Sequence, residues 1–310
     1  MATVSAQQAT APHTLSASAR AEAAGVQTAT APEYQIPRGN VEAELHFYAP
    51  PSDGTAPYNW VDKQPEGTPQ SNYGAEAHNV TIHDIRGSES SYTLDKDAFA
   101  VLQNVSPQGE TEFLDDDHIK THYYPEVEQL LLSSVPGANK IFIFDHTIRR
   151  PGPDAKRGPV NRAHIDQIAS SAKERVKVHL PDEAEKLWQG RYRIINVWRP
   201  INGPLYGQPL SFASSHTVRD EDLIPVEHRY PHRVGYTASV AYNPGQRWNY
   251  LSGMTNDERI LLECFDSEAL KEGSEVKGGR VPHSAFVDPR TPEGAPGRES
   301  IEVRALVFGP

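Results

Sequence analysis

The chain of 310 residues has one cysteine, Cys264, and two methionines. A single cysteine excludes an intrachain disulfide and any zinc or iron–sulfur site that needs several thiolates. No run of 18 consecutive apolar residues is present, so the sequence predicts no membrane-spanning helix. A GxGxxG motif after a strand and a phosphate-binding loop are also missing, which disfavours a dinucleotide- or ATP-dependent enzyme.

Basic residues are outnumbered by acidic ones, 30 against 41, which gives a formal net charge of −11. This excess of negative charge disfavours nucleic acid and anionic membranes as partners. Residues 1–32 contain 11 alanines, one arginine and one acidic residue, without the apolar segment of a secretory signal. The sequence therefore predicts a cytoplasmic protein with a disordered or poorly ordered arm at residues 1–35 and one domain at residues 36–310.

Many short elements separated by turns are expected in that domain, because the chain has 26 prolines and 22 glycines. Apolar residues at helical spacing predict helices at residues 124–134 and 167–188, the second one interrupted by Pro181. Short strand-like segments occur at residues 44–48 and 79–83. Segments rich in β-branched and aromatic residues predict further strands at residues 140–145, 192–198, 210–214, 235–242, 246–251, 259–265, 283–287 and 301–308. A mainly β chain with flanking helices, an α+β arrangement, is typical of a double-stranded β-helix, or jelly roll.

One tripeptide, His164-Ile165-Asp166, has the spacing of a metal site. Among the 13 histidines, only His164 is followed two residues later by a carboxylate. In a strand, residues i and i+2 point to the same face, so His164 and Asp166 can bind one cation together. With His283 from a later strand they form a facial triad of two histidines and one carboxylate, which suits non-haem Fe(II).

An Arg-x-Ser pair, Arg298 and Ser300, follows His283 by 15 residues. On one face of a strand these two side chains can bind a carboxylate through a charge-assisted fork and a hydroxyl donor. Arg304 has the same parity and is a second candidate for this role. The alternative is an edge strand whose charged residues face solvent.

Several motifs together resemble a fungal hydroxylase/desaturase family that includes gibberellin desaturase and oxidases of secondary metabolism. The motifs occur in one order over residues 40–308 and read IFDHT (143–147), RAHIDQ (162–167), INVWRP (195–200), YPHRVG (230–235), RWNYLS (247–252) and RESIEVR (298–304). The resemblance implies a jelly-roll dioxygenase that depends on Fe(II) and uses 2-oxoglutarate as cosubstrate. Residues 211–216 depart from the family, because serines and a histidine replace an acidic residue often found there, which indicates a different substrate pocket.

Carried over to this sequence, the resemblance implies His164, Asp166 and His283 as iron ligands and Arg298, assisted by Ser300, as the anchor of 2-oxoglutarate. The expected reaction is hydroxylation or desaturation of a small-molecule natural product with O2. Halogenation is not expected, because the Asp166 carboxylate takes the position that a halide needs.

Two other functions agree with parts of the pattern. A metal-dependent jelly-roll lyase or isomerase needs the metal ligands but not the Arg298/Ser300 pair, and a binding protein needs neither. His146 is interpreted as a structural histidine near the core, and His216, His228 and His232 as members of a solvated loop. The identity of the substrate and the oligomeric state are left open by the sequence.

Overall fold

Strands dominate the computed structural model, which describes residues 34–106, 109–152 and 158–310. Residues 35–310 form one compact unit, and the arm predicted at residues 1–35 lies almost wholly outside the described residues. The strands are β1 (Val41–Ala49), β2 (Tyr58–Trp60), β3 (Gly74–Asp84), β4 (Phe99–Leu102), β5 (Lys140–Arg149), β6 (His164–Ile165), β7 (Tyr192–Pro200), β8 (Leu210–Ala213), β9 (Leu223–Arg229), β10 (Val234–Val240), β11 (Trp248–Tyr250), β12 (Arg259–Asp266), β13 (His283–Ala285) and β14 (Ser300–Phe308).

These strands form two sheets. The larger sheet has the order β1-β3-β11-β8-β13-β6-β10-β9-β2, and the smaller one has the order β4-β12-β7-β14-β5. Neighbours are antiparallel except for the pairs β3/β11 and β2/β9. The predicted jelly roll is thus confirmed. The sequence analysis did not predict β2, β4 or β9. The interpretation of His228 as part of a solvated loop is wrong, because this residue lies on β9.

Five α-helices occur in the described residues: α1 (Leu94–Asp97), α2 (Asp116–His118), α3 (Tyr124–Ser134), α4 (Ala169–His179) and α5 (Ala184–Leu187). A π-helical turn joins α2 to α3, and Pro125 lies in the first turn of α3, as the sequence predicts. The break that Pro181 imposes between α4 and α5 is also present. Among the described residues, no helix is long and apolar enough to cross a bilayer.

Helix α3 covers the outer face of the smaller sheet. Its Val127 and Leu131 pack against alternate residues of β14, among them Ile301 and Val303. Because side chains alternate along a strand, Ser300, Glu302 and Arg304 point to the opposite face, into the space between the sheets. Burial of one face against a helix therefore fixes which polar side chains of β14 face the interior.

Candidate metal centre

Backbone pairing brings the two candidate histidines together. His164 on β6 is the register partner of His283 on β13, and their ring centroids lie 4.5 Å apart. Asp166 follows β6 directly. One ligand atom from each of His164, Asp166 and His283 lies within 4.8 Å of the other two. The three residues selected from the sequence thus converge on one point between the sheets.

A backbone carbonyl orients each histidine. The Nδ1 of His164 is 2.8 Å from the carbonyl oxygen of Arg162, and the Nδ1 of His283 is 3.1 Å from that of Val281. A carbonyl only accepts, so both Nδ1 atoms carry the proton and donate it. In the neutral imidazole the unprotonated Nε2 is then available to a cation, with its direction fixed by the outer hydrogen bond.

The two oxygens of the Asp166 carboxylate have different partners. Its Oδ2 accepts hydrogen bonds from Nδ2 of Asn196 at 2.9 Å and from Nε of Arg304 at 3.0 Å. Its Oδ1 lies 3.4 Å from Nε2 of His164. With Oδ2 held by two donors, the carboxylate presents Oδ1 to the histidines, as a monodentate metal ligand requires.

Charges around the triad favour cation binding. Burial opposes ionisation of Asp166, but the Arg304 guanidinium and both histidines hold the pKa of Asp166 well below its usual range. Burial also opposes protonation of His164, yet its hydrogen bond to Asp166 raises the pKa of this histidine. Burial and the neighbouring charge of His164 lower the pKa of His283. A divalent cation competes with the proton shared by His164 and Asp166 and releases it on binding.

Arg304 is held by a ring of acceptors. Besides Asp166, its guanidinium donates to Oδ1 of Asp145 at 2.9 Å, to Oγ1 of Thr147 at 3.1 Å and to Oε1 of Glu302 at 2.6 Å. The structure therefore places Arg304, a sequence candidate for carboxylate binding, against the Asp166 carboxylate. Arg304 does not line the small cavity beside the histidines.

Arg298 does line that cavity, together with His164, His283, Trp198 and Arg149. Its guanidinium carbon lies 5.5 Å from the centroid of the Trp198 ring, and its Nη1 donates to the carbonyl oxygen of Gln208 at 2.9 Å. Burial, with the positive charge of Arg149, lowers the pKa of Arg298 to about 10. Arg298 is thus a buried cation, and it remains charged at neutral pH.

Two buried donors have no hydrogen-bond partner among the described residues, namely Nε of Arg298, which lines the small cavity, and Oγ of Ser300 at the start of β14, which does not. Buried donors of this kind are rare and point to a missing ligand. The donor set fits Fe(II) at the triad and a carboxylate at Arg298 and Ser300. The cavity measures about 20 Å³, which is room for about one water. A dicarboxylate therefore requires the lining side chains to move apart.

Two residues of this region, Asn196 and Arg149, were not named as site members by the sequence analysis. A signal for Asn196 exists, since it is a polar residue inside the fully buried strand β7. Such a residue needs a hydrogen-bond partner. His146, by contrast, lies outside the triad, where its Nδ1 is 2.8 Å from the hydroxyl of Tyr124.

The chain is similar to characterised fungal enzymes. A family profile described as "Oxidoreductase/YMDC permease-like domain" matches residues 45–308. The hydroxylase/desaturase poxK of Penicillium oxalicum is 40% identical over 305 residues, which span 88% of this chain and 92% of that protein. The alpha-ketoglutarate-dependent dioxygenase phiK of a fungal species is 32% identical, over 87% of this chain and 96% of that protein.

Solved structures agree with the sequence relatives. The iron and alpha-ketoglutarate-dependent endoperoxidase NvfI superposes with a TM-score of 0.79 at 30% identity, covering 88% of this chain and 99% of that chain. The Fe(II)/2-oxoglutarate-dependent dioxygenase nvfI of Aspergillus novofumigatus is 31% identical over 86% of this chain and 96% of that protein. The chain belongs to this family of fungal hydroxylase/desaturases and Fe(II)/2-oxoglutarate-dependent dioxygenases, and it is an oxidoreductase.

Proposed function

We propose that this protein is an Fe(II)- and 2-oxoglutarate-dependent dioxygenase that hydroxylates or desaturates a small-molecule natural product, with His164, Asp166 and His283 as the iron ligands. The observation that carries the proposal is the convergence of their ligand atoms within 4.8 Å next to the buried guanidinium of Arg298. A lyase or isomerase requires the metal ligands but gains nothing from a buried arginine whose Nε has no acceptor among the described residues.

Fe(II) held by a facial triad would have coordination positions open for the cosubstrate and O2. With both bound, it would supply the oxidation of an unactivated C–H bond. The chain's own residues prepare the site for this. Arg298, assisted by Ser300, binds the distal carboxylate of 2-oxoglutarate, because Nε of Arg298 and Oγ of Ser300 are buried donors without a partner among the described residues and Arg298 lines the small cavity. Trp198, packed under Arg298, keeps water from this ion pair and so strengthens it.

Asn196 and Arg304 act on the metal through Asp166. Their two hydrogen bonds to Oδ2 stop the carboxylate from turning to a bidentate mode that would take a further coordination position. Asp145, Thr147 and Glu302 hold Arg304 in turn. We therefore assign Arg298 to the cosubstrate and Arg304 to the orientation of Asp166. O2 and the organic substrate are the expected partners, and the cytoplasm is the proposed compartment.

Anaerobic calorimetric titration of 2-oxoglutarate tests the proposed function and the iron ligands. Binding should require Fe(II) in the wild type and should be lost in His283→Ala. The matched control is His122→Ala, which removes an exposed histidine outside the site and should bind like the wild type. In air, succinate formation should depend on Fe(II) and 2-oxoglutarate together. Turnover of a substrate in the complete absence of 2-oxoglutarate would refute the proposal and favour the lyase or isomerase.

A further inference from the structure

A second, larger cavity reaches the metal centre from the side of Asp166. It is a cleft of about 470 Å³ between helix α4 and the hairpin formed by β9 and β10. Asp166 lines this cleft, whereas His164 and His283 line the small cavity that contains Arg298. The volume lies in the range of pockets that bind drug-sized molecules. The triad therefore borders two separate cavities, and only the small one has the buried Arg298.

The cleft has apolar side chains at positions open to solvent. Val178 of α4 is 61% exposed, and Val234 and Tyr236 of β10 are 51% and 37% exposed. All three line the cleft. Large apolar side chains grouped around a concave opening indicate a surface that a ligand covers.

Two arginines, Arg175 and Arg233, also line the cleft. Each guanidinium lies over an aromatic ring, that of Arg175 at 5.0 Å from the Phe144 centroid and that of Arg233 at 3.7 Å from the Tyr230 centroid. Neither forms a carboxylate ion pair with any described residue. In a chain with a net charge of −11, two such cations in one cleft attract an anionic group.

One other charged residue of the cleft is Glu174, which is exposed on α4. His228 of β9 supplies a neutral polar contact, since its Nε2 lies 3.1 Å from Oγ1 of Thr237. Burial and the nearby charge of His164 lower the pKa of His228, and His228 lines the same cleft as Asp166. Aromatic, aliphatic and cationic groups thus occupy the cleft, with polar groups next to Asp166.

We propose that this cleft binds the organic substrate, and that the substrate is an apolar compound with an acidic group (a carboxylate, or an ionised enol or phenol) that pairs with Arg175 and Arg233. This inference rests on the proposed function, because it takes the C–H bond to be oxidised as the part that reaches Asp166. Val178, Val234 and Tyr236 cover the apolar body. The arginines select the anion and fix the direction in which the molecule enters.

A matched pair of fluorescent probes separates the two contributions. 8-Anilino-1-naphthalenesulfonate is an apolar anion, and N-phenyl-1-naphthylamine is its neutral counterpart without the sulfonate. We expect the double variant Arg175→Gln/Arg233→Gln to weaken binding of the anion about tenfold or more, because the charge-assisted contacts are lost. Binding of the neutral probe should change less than about twofold, because the apolar walls are retained. Tyr236→Ser should weaken both probes to a similar extent.

The control lies in another cleft of the same chain. This cleft measures about 690 Å³, contains Lys271 and Lys277, and includes no residue of the triad. The variant Lys271→Gln/Lys277→Gln should bind both probes like the wild type. All variants are compared at equal fold content by near-ultraviolet circular dichroism.

Three results would overturn the inference: equal weakening of both probes in the arginine variant, no weakening of the anion, or weakening of the anion by the lysine variant instead. The proposed function is tested separately on the wild type by Fe(II)-dependent binding of 2-oxoglutarate. If 2-oxoglutarate does not bind but the probes behave as expected, the cleft selects anions and the proposed dioxygenase function is wrong. If 2-oxoglutarate binds as expected but the probes do not, the dioxygenase function stands and the substrate assignment is wrong.

Discussion

Replacing Asn196 with alanine tests how strongly the surroundings of Asp166 control the metal centre. The change removes the Nδ2 donor that lies 2.9 Å from Oδ2 of Asp166 and leaves Arg304 as the remaining donor to that oxygen. Outer-shell substitutions of this type weaken metal binding by about 10- to 100-fold, or about 1.4–2.7 kcal/mol. We expect that loss for Fe(II), measured anaerobically by competition with a chromophoric chelator.

A matched control is Asn249→Ala. Asn249 is also fully buried on a strand, and its Nδ2 is 3.2 Å from Oγ of Ser214 and 3.1 Å from the carbonyl oxygen of Arg247. Both variants should lose about 1–3 kcal/mol of unfolding free energy, since each removes buried hydrogen bonds. Only Asn196→Ala should lose metal affinity. Wild-type affinity in a folded Asn196→Ala protein, or an equal loss in Asn249→Ala, would refute the role assigned to Asn196.

Three further predictions concern buried groups. Arg298→Lys should raise the KM for 2-oxoglutarate about tenfold in a succinate assay, because an ammonium cannot form the bidentate fork; an unchanged KM would contradict the assignment of Arg298. Burial, with the charge of Asp266, raises the pKa of Glu263 well above its ordinary value. The folded protein therefore keeps a proton that the unfolded chain releases near pH 4.3, and above that pH the wild type should lose about 1.4 kcal/mol per pH unit relative to Glu263→Gln until the folded pKa is reached. Urea unfolding of both proteins at about pH 5 and pH 7 measures this, and a constant difference would argue against it. Burial also raises the pKa of the Cys264 thiol, so a thiol reagent should label it only after unfolding; rapid labelling of the native protein would show that the strand opens.

Patterns along single strands predicted much of the site. The i, i+2 spacing of His164 and Asp166 and that of Arg298 and Ser300 are local properties of an extended backbone, so they are visible in the sequence. The same reasoning gave Arg304 an inward position, and its side chain does lie between the sheets, against Asp166.

Contacts between strands were harder to predict. Asn196 lies on β7 of the smaller sheet, and Asp166 lies 30 residues away, directly after β6 of the larger sheet. Their hydrogen bond therefore depends on how the sheets pack. Strand β9 was missed because polar residues and a proline interrupt its sequence, LIPVEHR. Its pairing with β10 supplies hydrogen bonds that this composition does not indicate. With β9 unseen, the cleft lined by His228 was unseen as well.

The sequence by itself determined the candidate ligand set, the mainly β fold and the family, because residue type and two-residue periodicity can be seen without knowing which segments contact each other. Tertiary structure decided the different positions of the two arginines, Arg298 and Arg304. Arg298, two residues before β14, and Arg304, on β14, have the same parity along the chain. Arg298 lines the small cavity beside the histidines, whereas Arg304 is hydrogen-bonded to an aspartate 138 residues away. That difference arises from strand register and sheet packing, which bring distant residues within hydrogen-bond distance and leave no local signal.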